Sequence, residues 1–465
     1  MSFSLQNTAS RVFLWQRANQ VIYLVRNIIL ARFIAPAEFG LFAIALNLAS
    51  YIAILGTLEF RTAFFAAKDL TEDRIRVQWS TEVLLNFVTL LIGALLIPWL
   101  SQTRPHAVII AMISILAISL LEASFSTPLY LLERDLRFPF LSALYTVVNL
   151  TSFIVCLGIA IAGGGWVALV IDRAVAAGIK GVILYSKTKW RPRFLLRMPE
   201  LRYYWGFVSI LFLTGLLGKV LFEFDIYAIG KWIGPEANGI YSVAKKWALL
   251  PMELGAGFIA IMALSLYSSK SHLSLEEFRA SYTEITFHIT RFCLAIAVLM
   301  AIFMKDFFSI FYDQNWQGVP TIFAALVPYA ILRPLYQNVS QAMQARKQLG
   351  AILAVMFLQS ILIIFSMIWL ASRGLGPIAG AMGAILGLGY VLLEWQLHRK
   401  VGHSIFFIFA FPLLLALAAL SAWLPIARIT GIQGVAMRVG LALSYTLLAS
   451  WEWWVARRRF QSIPA

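Results

Sequence analysis

Residues 31–49 read ARFIAPAEFGLFAIALNLA, and residues 230–248 read GKWIGPEANGIYSVAKKWA. Pro36 recurs as Pro235 and Gly40 as Gly239, an offset of 199 in both cases. Ile34, Ala45 and Ala49 recur unchanged as Ile233, Ala244 and Ala248, while Arg32 becomes Lys231, Phe33 becomes Trp232 and Phe42 becomes Tyr241. Both copies stand where one long apolar run gives way to the next. A repeat of this length in so apolar a chain predicts two membrane-embedded halves related by pseudosymmetry.

Composition agrees. Hydrophobic residues make up 61% of the 465 and charged residues only 13%, with a mean hydropathy of +0.81. Soluble domains carry about 25% charged residues, so most of this surface must face lipid. The net charge of +16 does not signal nucleic acid, because the basic residues fall in short loops between apolar runs, as the positive-inside rule requires. Cys156 and Cys293 lie far apart inside apolar runs, which argues against a disulfide framework or a thiolate metal site. No cofactor is implied. Arg17 and Arg26 interrupt the first apolar run, and no small-residue cleavage site follows it. That run is therefore expected to stay as the first span rather than be removed as a signal peptide.

Windows of about 20 residues, the length that crosses a bilayer core, give about fourteen spans. Six fall between residues 12 and 186, six between 205 and 397, and a last pair at 404–425 and 435–456. The expected fold is thus an all-α integral membrane protein. Residues 1–190 form an N-lobe of six spans, 191–202 a basic cytoplasmic linker and 203–400 a C-lobe of six, while 401–465 hold two further spans and a basic tail. Arginines and lysines concentrate on one side. Lys68, Arg74 and Arg76, Arg134 and Arg137, Lys270 and Arg279, and Arg457 to Arg459 all fall there, as does the stretch SKTKWRPRFLLRMPELR at 186–202. The other side has only Arg32, Arg104, Lys231, Lys305, Arg373 and Arg428. The basic side should be cytoplasmic, with both termini inside. Paired halves of this kind are the architecture of secondary transporters, whose substrate site lies between the repeats.

The segments ILARFIAPAEFGLFAIA (29–45) and DIYAIGKWIGPEANGIYSVAKKWALLP (225–251) resemble the openings of the two lobes in the polysaccharide transporter family. That family is a branch of the multidrug/oligosaccharidyl-lipid/polysaccharide flippase superfamily. FRTAFFAAKDLTEDRIR (60–76) is similar to the family's first cytoplasmic segment. The resemblance implies a V-shaped pair of six-helix lobes around a central cavity, in a bacterial inner membrane. It implies a cargo too: an undecaprenyl-diphosphate-linked oligosaccharide, moved from the inner to the outer leaflet for O-antigen, capsule or exopolysaccharide synthesis. Membrane lipids and polysaccharide polymerase machinery would be its partners, and nucleic acid would not.

Candidate site residues follow from charge placed where charge is costly. A charge near the bilayer centre costs roughly 2.5–3.5 kcal/mol on insertion scales, so it normally faces a cavity or a partner. In the first span Arg17 and Arg26 border a polar stripe of Gln16, Asn19, Gln20, Tyr23 and Asn27, about 13 Å apart along the axis. Two guanidinium groups at different depths suit a diphosphate, because arginine forks match phosphate oxygens; the plainer alternative is that Arg17 snorkels to the surface. Lys245 and Lys246 occupy the positions matching Leu46 and Asn47. They point about 100° apart, so at least one is expected to line a cavity. In the seventh span Lys219, Glu223 and Asp225 are coupling candidates. Lys219 and Glu223 are spaced to neutralise each other, and Asp225 aligns with Arg26 and could pair with it or bind an ion. Glu59, Glu122, Glu253 and Glu394 compete for that role. Arg333 lies between Pro328 and Pro334, in an expected helix break where it would meet substrate or cap freed carbonyls.

A multidrug cation antiporter of the same superfamily would need carboxylates where this chain has arginine and lysine. A peptidoglycan-precursor flippase shares the cationic character and differs in headgroup. An enzyme acting on sugar chains would need a sizeable outer loop, yet the outer loops are short. With no carboxylate pair, nucleotide loop or metal-ligand spacing, the chain is read as a non-enzyme.

Overall fold

The computed structural model describes residues 2–57, 64, 71–253, 267, 275–401, 406–426, 429 and 431–461. Glu59, Lys68, Lys270, Arg428 and most of the 60–76 segment lie outside the described residues, as do the side chains of Gln16, Arg202, Lys400, Arg458 and Arg459. Among the described residues the secondary structure is helical throughout. The helices are α1 Ser2–Leu30, α2 Pro36–Thr57, α3 Glu72–Leu95, α4 Ile97–Leu100, α5 His106–Ser124, α6 Ser126–Arg134, α7 Phe138–Ile161 and α8 Trp166–Lys187. They continue with α9 Met198–Trp232, α10 Pro235–Pro251, α11 Leu275–Phe311, α12 Val319–Ala345, α13 Leu349–Leu370, α14 Leu375–Val401, α15 Phe406–Ile426 and α16 Gly431–Gln461.

Eight of these segments are long and apolar enough to cross a membrane: those of α2, α3, α5, α7, α11, α12, α13 and α14. That is fewer than the fourteen spans read from the sequence. Part of the difference lies in charge and length. Helix α8 carries Asp172, Arg173 and Lys180 along its middle, and α10 is only 17 residues long with Lys245 and Lys246 inside it.

The chain forms two compact units, Met1–Gly239 and Ile240–Ala465. The sequence places the divide in the basic stretch 191–202, whereas the compact units part after α9. The cause is side-chain bonding between α9 and α2. Asn47 Nδ2 donates to the Glu223 carbonyl at 3.1 Å, and the Tyr51 hydroxyl donates to the Lys219 carbonyl at 3.3 Å. Arg104 adds a bond to the Gly230 carbonyl at 2.8 Å. The core of the first unit is built from Ile44 and Ala49 of α2, Met112, Ile115 and Leu116 of α5, Leu141 and Leu144 of α7, and Ala177 and Leu184 of α8.

The repeated segment has a packing role within this first unit. A Cβ placed on Gly40 would run into the carbonyl of Pro235, and one on Gly239 into the carbonyl of Pro36. The contact is reciprocal: each motif's glycine makes room for the other motif's proline. Only glycine permits two backbones to come this close. Asn238 Nδ2 adds a hydrogen bond to the Gly40 carbonyl at 3.4 Å.

In the second unit α12 packs along α14 and α11. The expected break at Pro328 and Pro334 is absent, and α12 runs as one helix through both prolines. Gly383 of α14 lies against this helix, its missing side chain leaving room for Pro328 and the Tyr329 amide. The last pair, α15 and α16, shares a core with α11 through Val298, Ile302, Ala416, Ala419 and Tyr445. Two ion pairs fasten α16 to the same helix. Arg291 Nε meets Glu452 at 2.9 Å, and Arg438 Nη2 meets Asp306 at 2.8 Å.

Candidate functional site

The candidate residues fall into two groups, one in each unit. In the first unit Arg17 donates to Gln20 Oε1 at 2.8 Å, one turn further along α1. Arg26 pairs with Asp172 of α8, and its side chain keeps 19% of its surface exposed. The ionic partner of Arg26 is therefore Asp172 and not Asp225, the partner suggested by the repeat alignment. Asp225 is fully buried, and its Oδ1 accepts from the Ile226 amide at 2.9 Å.

Lys219 and Glu223 form the i,i+4 pair that their spacing predicts, at 2.8 Å. Ser50 Oγ of α2 donates to the same carboxylate at 3.1 Å. Glu122, one of the competing carboxylates, pairs with Lys180 at 2.6 Å. Glu394 accepts from the Tyr282 hydroxyl at 2.5 Å within the second unit, and Glu253 is exposed at the end of the described part of its segment.

In the second unit the adjacent lysines part company. Lys245 is buried, 5% exposed, and its ammonium stands over the rings of Tyr241 at 5.9 Å and Tyr329 at 5.6 Å. Aromatic faces attract a cation through their quadrupole, which compensates part of the lost hydration. Lys246 is exposed. The 100° rotation between neighbours on a helix separates them as expected. Arg333 is half-buried in α12, one turn before Tyr336, whose hydroxyl donates to Gln359 at 2.9 Å.

Sequence reasoning passed over α8. Its stretch DRAVAAGIK (172–180) sets three charges inside a span-length helix, and that density was the available signal. The structure brings Asp172 and Arg173 alongside Arg26, and Lys180 onto Glu122 and the ring of Phe125 at 5.2 Å.

Solved transporters share this fold. The chain matches the structure titled lipid II flippase MurJ, inward closed conformation, with a TM-score of 0.71 and 14% identity, over 95% of this chain and 97% of that one. An inward-facing multidrug resistance transporter of the MATE family matches with a TM-score of 0.62 and 14% identity, over 82% and 94% of the two chains. A transporter of the same superfamily from Pyrococcus furiosus matches at 0.59 and 12%, over 85% and 95%. The molecule therefore has the fold of a multi-pass membrane transporter.

Within that class the chain belongs to the polysaccharide biosynthesis protein family, whose sequence model matches residues 29–321. The resemblance read from the repeated segment is borne out. The teichuronic acid biosynthesis protein TuaB of Bacillus subtilis (strain 168) is 23% identical over 282 residues, covering 58% of each chain. The succinoglycan biosynthesis transport protein ExoT of Rhizobium meliloti (strain 1021) is 22% identical over 232 residues, covering 49% of this chain and 46% of the relative. The chain thus spans about half the length of the curated relatives it matches.

Proposed function

We propose that this chain moves an undecaprenyl-diphosphate-linked oligosaccharide from the inner to the outer leaflet of a bacterial inner membrane, as a flippase without enzymatic chemistry. The observation that carries the reading is the placement of cations within helices of a membrane transporter fold, Arg26 in the last turns of α1 and Lys245 in the middle of α10. A cation held there is costly and normally faces a partner or a cavity. Membership of a polysaccharide biosynthesis family supplies the class of cargo. In this reading Arg17, Lys246 and Arg333 are further contacts for the anionic headgroup.

The topology proposed with it has fourteen spans and cytoplasmic termini. Residues 1–190 and 203–400 are the six-span halves, 191–202 joins them, and 401–465 is an addition. Coupling is assigned to α9, where Asp225 is buried and Lys219 and Glu223 form an ion pair. Polymerase machinery would receive the translocated unit.

The test is mass spectrometry of lipid-linked oligosaccharides in a strain lacking the protein. A diphosphate-linked repeat unit should accumulate, and wild type should relieve it where Arg26→Ala and Lys245→Ala do not. No accumulation, with altered sensitivity to cationic drugs instead, would move the protein to the cation-antiporter branch. The likeness to the lipid II flippase structure favours a peptidoglycan precursor as the second reading. Accumulation of that lipid in the same spectra would select it.

A further inference from the structure

Helix α8 carries a charge that neither the repeat nor the family match assigns. Arg173 is the eighth residue of the helix, about 10 Å from its Trp166 end. It shares a helix face with Ala177, Lys180 and Leu184, spaced at four, seven and eleven residues. Ala177 and Leu184 are buried in the core of the first unit. Val182, on the opposite face, is 72% exposed, as expected of a side chain turned to lipid. Arg173 therefore does not point toward lipid. It is nonetheless exposed, while Glu122, Asp172, Arg26 and Tyr23 stand close enough to act on its charge. Arg173 thus belongs to a wall of charged groups drawn from three helices.

The charges on that wall do not cancel. Arg26 is matched by Asp172 and Lys180 by Glu122. Arg173 forms no hydrogen bond or ion pair among the described residues. The second oxygen of Asp172, Oδ1, is buried without a hydrogen-bond donor. One residue apart, α8 leaves a cation with no hydrogen-bonded anion and an acceptor without a donor. A buried acceptor without a donor is costly. A sugar diphosphate supplies what both lack: phosphate oxygens for the guanidinium and a ring hydroxyl for the carboxylate.

We infer that Arg173 and Asp172 form a headgroup subsite for a glycosyl diphosphate, in which Arg173 takes a phosphate and Asp172 Oδ1 accepts from a hydroxyl of the first sugar. Arg26, held in place by Asp172, is the second phosphate contact. The assignment rests on the transport reading above and narrows it. Recognition depends on diphosphate and sugar together, so the bare isoprenyl diphosphate should bind more weakly than its glycosylated form.

The experiment is binding of undecaprenyl diphosphate, and of the same lipid carrying one N-acetylglucosamine, to the purified full chain in nanodiscs. Wild type should prefer the glycosylated lipid. Arg173→Gln should weaken both by about tenfold, the scale of one charge-assisted hydrogen bond. Arg173→Lys should recover part of that loss, which a purely structural role would not predict. Asp172→Asn should erase the preference for the glycosylated lipid. If wild type binds both lipids and Arg173→Gln binds them equally well with an unchanged melting temperature, the subsite is wrong and the transport reading stands. If wild type binds neither, both fail.

Discussion

The two copies of the repeated segment agree where backbones meet and differ six residues further on. Pro36 and Gly40 in the first copy, and Pro235 and Gly239 in the second, form one reciprocal contact. Six residues beyond each glycine the copies diverge. The first has Leu46 and Asn47, of which Asn47 is buried and tied to the Glu223 carbonyl. The second has Lys245 over two tyrosine rings and Lys246 exposed. The positions that hold the fold are thus shared between the copies. The lysine pair belongs to one copy alone, which is where a pseudosymmetric molecule can acquire a function that its symmetry does not dictate.

The largest effect should come from filling the crossing. Gly40→Ala and Gly239→Ala should each lower stability by about 2–3 kcal/mol, as overpacking against rigid backbone does, and the two losses should be similar. Thermal unfolding in detergent measures both. A large loss at one glycine and none at the other would break the reciprocity.

Next come the lysines. Lys245→Met should cost about 1–2 kcal/mol, the range of a desolvated cation–π contact, while Lys246→Met should stay within about 0.5 kcal/mol, as exposed substitutions do. Equal losses in the same melting assay would erase the distinction drawn between them. Asn47→Ala, at the position matching Lys246, should cost about 1 kcal/mol for its hydrogen bond to α9. The mildest change is Gly158→Ala. This α7 glycine has open space around its Cα, so the substitution should stabilise by about 0.5–1 kcal/mol through helix propensity. Destabilisation there would mean that glycine is required for more than close approach.

Much of this was legible in the sequence because it rests on local rules. The repeat, the Lys219–Glu223 pair and the rotation between Lys245 and Lys246 follow from helical spacing alone. Two readings failed because neighbours decide them. Pro328 and Pro334 predict a break when α12 is read by itself; the chain passes through as one helix, with Gly383 of a distant helix against it. Repeat arithmetic offers Asp225 as one partner for Arg26, with a lysine or an ion as alternatives for Asp225. The contact Arg26 makes is to α8, which the offset does not relate to α1. The charges of α8 were visible as DRAVAAGIK, but a motif search begins from the repeat, and α8 lies outside it. The division into six-span halves and the division into compact units are also set by different things. A basic stretch marks the join in the sequence, while α9 folds with the unit that its hydrogen bonds select.

Transport itself is tested most directly by reconstitution. Liposomes carrying a labelled undecaprenyl-diphosphate oligosaccharide in both leaflets expose only the outer pool to an added glycosidase. With the wild-type chain inserted, the enclosed pool should become accessible over minutes, and with Arg26→Ala or Lys245→Ala it should stay protected. An enclosed pool that remains as protected as in protein-free liposomes would contradict the account.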